Sequence, residues 1–251
     1  MNASAETLSE AYSMIGEIRR DQGDVEGATS YFSLATETDP ESADPWAALG
    51  DLARAEGHWE ESLRCYQEAL ARCPGAADVQ VQAGYAHLQL NRALEGEKLF
   101  LAALDSDPGE YSAYLGLSEC YRLLQRPEDQ LDQVRKALEV APEDPDVWNA
   151  QGVALEVAGR PREATEAYER ALALAPMHRK AANNLGFLLE KRMEGGEADL
   201  HQRAKDAWKR RLLICRDEGQ SLKMATEHLA KLGVGDDTIR RWLEHDAALG
   251  S

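Results

Sequence analysis

Prolines fall at Pro40, Pro74, Pro108, Pro142 and Pro176, each 34 residues after the last. A fixed period of this length is the signature of stacked repeats, in which one unit cannot bury its apolar face alone. Other positions keep the same register. Five residues before each proline stand Ala35, Ala69, Ala103, Ala137 and Ala171. Eight before it stand Phe32, Tyr66, Phe100, Val134 and Tyr168, and twenty-four before it Gly16, Gly50, Gly84, Ser118 and Gly152.

The chemistry of these positions predicts a helical hairpin. Segments 44–55 and 60–71 carry apolar residues at three- and four-residue steps, the period of an amphipathic helix. Between the helices lie Gly23, Gly57, Asn91 and Gly159, residue types that accept the left-handed backbone ending a helix. The proline closes the second helix, because it lacks an amide donor and restricts the residue before it. An Asp or Ser soon after it can cap the next helix. Small side chains in both helices allow close approach, and the aromatic fills the space beside them.

These residues resemble the tetratricopeptide repeat, whose pattern is W-x2-L-G-x2-Y followed by Ala, an aromatic, Ala and Pro. Residues 43–76 show it best, with Trp46, Leu49, Gly50, Tyr66, Ala69 and Pro74; residues 145–178 repeat it with Trp148, Gly152, Ala164, Tyr168, Ala171 and Pro176. Units 9–42 and 111–144 follow the register. Unit 77–110 is the most degenerate, with Gln80 at the Trp position. The resemblance implies an all-α fold, a right-handed helical-hairpin solenoid. Expected divisions are an N-terminal tail at 1–8, five units over 9–178, and a sixth, extended hairpin over 179–218. A C-terminal helical hairpin cap would occupy 219–251.

The sixth unit starts on register with Leu185 and Gly186 and then departs. Met193-Glu-Gly-Gly-Glu intervenes, so Ala204 and Trp208 stand six residues late and Arg211 replaces the expected Ala. Its second helix is expected over about 198–216, basic on one side through Arg203, Lys205, Lys209, Arg210, Arg211 and Arg216. Helices at about 221–232 and 236–247 should follow, broken by Gly233-Val-Gly235.

Charge separates the two parts of the chain. Residues 1–178 hold 14 Lys and Arg against 33 Asp and Glu, a net of −19; the remainder holds 14 against 12, a net of +2. The first part should repel nucleic acid and anionic membrane and favour cationic or apolar partners. No apolar run approaches the roughly 20 residues of a membrane span. The start has no basic stretch leading into an apolar one, so no signal peptide is expected and a cytoplasmic location is. Cys65, Cys73, Cys120 and Cys215 make no metal spacing and should be reduced thiols.

The resemblance also implies a binding face. In this family the first helix of each hairpin lines a concave groove. The matching positions predict contacts from Glu17, Asp51, Tyr85, Leu88, Leu115 and Glu119, then Asn149, Val153, Lys180, Asn183, Asn184 and Phe187. The set reads as acidic first, apolar in the middle, and amide and lysine last. An extended or helical peptide of another protein is the expected occupant, with Tyr85, Leu88, Leu115 and Phe187 holding apolar side chains. The asparagines would bond its backbone. End-to-end stacking into a homo-oligomer is a variant of the same reading. Lys180 and Asn184 match only part of the carboxylate clamp found in co-chaperone members, so chaperone C-termini are not expected ligands.

Catalysis has little support: the six histidines form no HExxH, and no P-loop or GxGxxG is present. No cofactor or metal is expected. The function implied is a non-catalytic adaptor or scaffold. The alternative is a nucleic-acid-linked regulator, since residues 228–243 resemble a helix-turn-helix with Arg240 and Arg241 available to phosphates. Arg203, Lys209 and Arg210 would extend that secondary surface. Against it, Asp236 and Asp237 would stand at the recognition helix's N-terminus, and Ala230 is one residue too close to Gly233. The simpler expectation is a cap, in which Leu229, Leu232, Ile239, Trp242 and Leu243 cover the last repeat.

Overall fold

The computed structural model describes residues 4–215 and 219–245. Among them the chain is all helix, with fourteen α-helices and one short 3-10 turn. It divides into two compact units between Gln133 and Val134.

The first unit contains α1 (Ala5–Asp21), α2 (Val25–Thr38), α3 (Asp44–Ala55), α4 (Trp59–Arg72), α5 (Ala77–Gln89), α6 (Ala93–Ser106) and α7 (Tyr111–Leu123). Each helix packs on the next, and α5 also meets α7. The turns follow the expected chemistry. Gly23, Gly57 and Asn91 all have positive φ. So does Gln125, at φ 57°, although nothing in its residue type announces it. The second helices stop two residues before their prolines: α2 at Thr38, α4 at Arg72 and α6 at Ser106.

The repeated glycine and aromatic form one contact. A Cβ on Gly50 would lie 2.5 Å from Tyr66 Cε1, so the ring occupies the space a side chain would need. Phe32, Tyr66 and Phe100 are at most 1% exposed, and Ala35, Ala69 and Ala103 are fully buried. At roughly 1.5–3 kcal/mol for a fully buried large apolar side chain, this recurring contact is a main source of cohesion. Phe100 shares its cluster with Leu88, Leu117 and Cys120.

The division falls within α8 (Pro127–Val140). The second unit continues with α9 (Pro145–Val157), α10 (Pro161–Leu174) and α11 (Arg179–Glu194), then the 3-10 turn (Ala198–Leu200), α12 (His201–Ile214), α13 (Gly219–Lys231) and α14 (Asp236–His245). Neighbours from α9 to α13 pack in sequence. Asp144 caps α9, its carboxylate accepting from the amides of Asp146 and Val147 at 2.7 and 3.3 Å. His178 caps α11 through Nδ1, which accepts from the Ala181 amide at 3.0 Å. That bond fixes the tautomer and leaves Nε2–H to donate to Asp146 Oδ1 at 3.2 Å.

The stretched hairpin keeps its packing. Ala204 and Trp208 are fully buried, and Trp208 lies against Gly186. The insertion is held by Arg192, whose guanidinium donates to Glu197 Oε1 at 3.2 Å and Oε2 at 2.5 Å and to Thr165 Oγ1 at 2.7 Å. Leu229, Leu232 and Ile239 are buried, while Trp242 and Leu243 are half-buried. One expectation fails here. Arg211 is 4% exposed, so it does not belong to the basic side of α12. Its Nε and Nη1 are buried without a hydrogen-bond partner. Arg216 lies outside the described residues.

Candidate interaction surface

The first helices carry the residues expected to meet a ligand. In the first unit, Glu17 is exposed on α1. Asp51 is half-buried; its Oδ1 accepts from the Tyr66 hydroxyl at 2.7 Å and lies 3.5 Å from Arg54 Nε. Glu119 is paired likewise, with Arg122 Nε donating to its Oε2 at 2.7 Å. Asp51 and Glu119 are therefore neutralised in part, because each has an arginine one turn further along its helix. Tyr85 is half-buried: its hydroxyl donates to the Ser112 carbonyl at 2.9 Å, and its ring meets Phe100 edge-on at 5.1 Å. Leu115 is half-buried.

Leu88 corrects the reading. It is 7% exposed and belongs to the core around Phe100, so it cannot hold a ligand side chain. The close approach of α5 to α7 encloses it.

In the second unit the asparagines also differ from expectation. Asn149 is buried, and its Oδ1 accepts from Asn184 Nδ2 at 3.0 Å. The two amides are thus partly used on each other rather than held free for a peptide backbone. Asn183 keeps a buried Oδ1 with no partner. Val153 is half-buried, and Lys180 is exposed, 3.9 Å from Asp146.

Phe187 is 42% exposed, yet firmly placed. It meets Trp208 and His228 edge-on, each at 5.0 Å, while those two rings stack on each other at 4.1 Å. His228 Nδ1 lies 2.8 Å from Glu190 Oε1. The part played by His228 and Glu190 was not legible from the repeat, because His228 lies beyond the last regular unit. Their contact joins α13 to α11 one turn beyond Phe187.

The secondary basic surface is mostly engaged. Arg203 bonds Glu169 at 2.6 Å, Lys209 stands over the Trp242 ring at 5.0 Å, and Arg240 lies 3.9 Å from Asp237. Arg210 and Arg241 are exposed. The turn before α14 contains Gly233 at φ 76°, and the first turn of α14 is acidic through Asp236 and Asp237. Among the described residues no cluster of His, Cys, Asp or Glu could hold a metal ion. Nor is any helix of the structure long and apolar enough to cross a membrane.

Residues 1–225 match the model of the tetratricopeptide repeat, and the chain belongs to this family, a class of helical repeat whose members bind other proteins. Human protein O-mannosyl-transferase TMTC1 is 26% identical over 236 residues, which are 92% of this chain. The chain spans only 26% of that protein's length. Among solved structures, PilW, a widely conserved type IV pilus biogenesis factor, superposes with a TM-score of 0.73 at 18% identity, covering 87% of this chain and 98% of PilW. Pseudomonas aeruginosa PilF gives 0.69 at 19% identity, covering 90% and 99%. At such identities these two likenesses show the shared fold.

Proposed function

We propose that the protein is a non-catalytic adaptor that holds a partner polypeptide along the first helices of its repeats, taken as units 9–42, 43–76, 77–110, 111–144 and 145–178 with the extended hairpin after them. The observation that carries this reading is Phe187. A large ring that is 42% exposed but held edge-on by Trp208 and His228 is preorganised, so little side-chain entropy is lost when a partner covers it. Rigid aromatic anchors of this kind dominate interface energetics. Val153 stands 34 residues earlier, at the same register position of α9, and offers a second apolar contact. Tyr85 and Leu115 offer comparable half-buried contacts in the first unit.

The test is quantitative affinity purification from the native cell with wild type, Phe187→Asp and Val153→Asp. The reading predicts that the same bound protein falls at least about tenfold in both variants, as loss of an anchor worth more than about 1.4 kcal/mol requires. An unchanged set of bound proteins, with the variants folded, would contradict it.

A further inference from the structure

Two arginines are buried in the second unit, and they are treated differently. Arg192 on α11 has a side chain 9% exposed, and all three of its guanidinium nitrogens donate, to Glu197 and Thr165. Arg211 on α12 is 4% exposed, and two of its three nitrogens, Nε and Nη1, are buried without a hydrogen-bond partner. A guanidinium stripped of water and given no acceptor destabilises whatever arrangement buries it, and arginine has no neutral form to escape into. The repeat register identifies that arrangement. Arg211 follows Trp208 by three residues, as Ala69 follows Tyr66 and Ala103 follows Phe100. Ala69 shares a core cluster with Val79 and Ala83 of the following first helix, and Ala103 with Ala113 and Leu117. The helix that follows α12 and packs against it is α13. By this register, Arg211 is buried when α13 closes onto α12.

The apolar hold on α13 is small. Among its described side chains only Ala225 and Leu229 are buried, whereas α5 buries Val79, Val81, Ala83, Ala86 and Leu88. The rest of the hold is His228. Its ring stacks on Trp208 at 4.1 Å with 8° between the planes, and its Nδ1 lies 2.8 Å from Glu190 Oε1. The same ring meets Phe187 edge-on at 5.0 Å. The helix that encloses Arg211 is therefore also the helix that steadies Phe187.

We propose that α13 is a lid over α11 and α12, whose closure places His228 against Phe187 and completes the anchor, and whose opening releases His228 and Arg211 together. The unpaired charge of Arg211 lowers the cost of opening, so α13 leaves while α9, α10 and α11 stay folded. A partner that covers the steadied ring favours the closed state, and closure in turn favours the partner. That link to binding rests on the reading of Phe187 as an anchor; the lid itself does not.

Hydrogen exchange of the full chain, resolved by mass spectrometry of its peptides, tests the lid. In the wild type, α13 should exchange at least about tenfold faster than the buried amides of α10. Arg211→Met keeps the bulk and removes the charge, so it should slow α13 at least about tenfold and leave α10 unchanged. Should Arg211→Met lose helical circular dichroism, Arg211→Leu carries the same prediction. Exchange of α13 in step with α10, or a rate that the Arg211 variants leave unchanged or raise, would overturn the proposal. Affinity purification from the native cell tests the link. His228→Ala, which leaves Phe187 in place, should lower capture of the partner at least about threefold. Capture that Phe187→Asp abolishes and His228→Ala leaves intact would overturn the link. Capture that Phe187→Asp leaves intact would instead count against the adaptor reading, and the lid would then stand or fall on exchange alone.

Discussion

The side chain of Gln80 donates from Nε2 to the carbonyl of Pro74 at 2.6 Å. Trp148 does the same to Pro142 through its indole at 2.8 Å, and Tyr114 to Pro108 through its hydroxyl at 3.3 Å. In these three units a donor at this position ties the start of one hairpin to the proline closing the one before, whereas Trp46, at the same position, keeps a buried indole nitrogen without a partner. The unit that departs furthest from the family pattern therefore keeps the bond and changes only the group that makes it. Gln80→Leu should cost about 1 kcal/mol, the net worth of a typical hydrogen bond. Gln80→Trp restores a donor and removes the buried, unpartnered Oε1, so it should be more stable than Gln80→Leu. Urea midpoints of the two variants and wild type check this order.

Gly50→Ala should be more damaging. The new methyl would meet Tyr66 Cε1 at 2.5 Å, and the ring cannot simply retreat, because its hydroxyl is held by Asp51. Overpacking of this kind costs roughly 1–3 kcal/mol. Gly75→Ala is the control, since its nearest neighbour would be Ser106 Oγ at 4.0 Å, and it should change stability by less than about 0.5 kcal/mol.

Gln125 offers a gain. Its φ of 57° lies in the left-handed region, which costs a residue with a Cβ roughly 1–2 kcal/mol. Gln125→Gly relieves that strain and loses some of it to a floppier unfolded chain, so a rise of about 0.5–1 kcal/mol is expected. Thermal or urea unfolding should show it, while Gly57→Ala, at φ 78°, should shift stability the other way.

Alkaline pH should weaken the fold. Burial, followed by hydrogen bonds to Asp51 and Glu156, pushes the Tyr66 and Tyr168 phenols well above their ordinary range. Burial and a bond to Glu97 push Tyr121 to about 12, and burial pushes the Cys120 thiol to about 12. Each folded-state pKa is raised above its unfolded value, about 10 for a phenol and about 8.5 for a thiol. The folded state then holds the extra proton in that window, so stability falls as pH rises through it. Thiol loss should begin above about pH 8.5 and phenol loss above about pH 10. A spectrophotometric titration should show these tyrosinates forming together with loss of helical circular dichroism. Tyr168→Phe should flatten the alkaline limb.

Helix ends were legible because proline and left-handed residues act locally. The second helices α2, α4, α6, α8 and α10 each stop two residues before a proline. The binding face was less legible, because periodicity says which side a residue takes and not how deep it lies. Leu88 holds a groove register but is enclosed by α5 and α7. Asn149 and Asn184 stand 35 residues apart, on neighbouring first helices, close enough to bond each other. Arg211 shows the reverse case: a charged residue at a packing position went inside with the position. His228 had no repeat register to announce it, although it shapes the surroundings of Phe187.

The most direct measurement is site-specific photo-crosslinking in the native cell. A photoreactive residue is placed at Val153, at Phe187, or at Leu101, which is 49% exposed on a second helix. The account predicts that positions 153 and 187 capture the same partner and position 101 does not. Equal capture from all three, or capture from 101 alone, would contradict the claim that the first helices hold the partner.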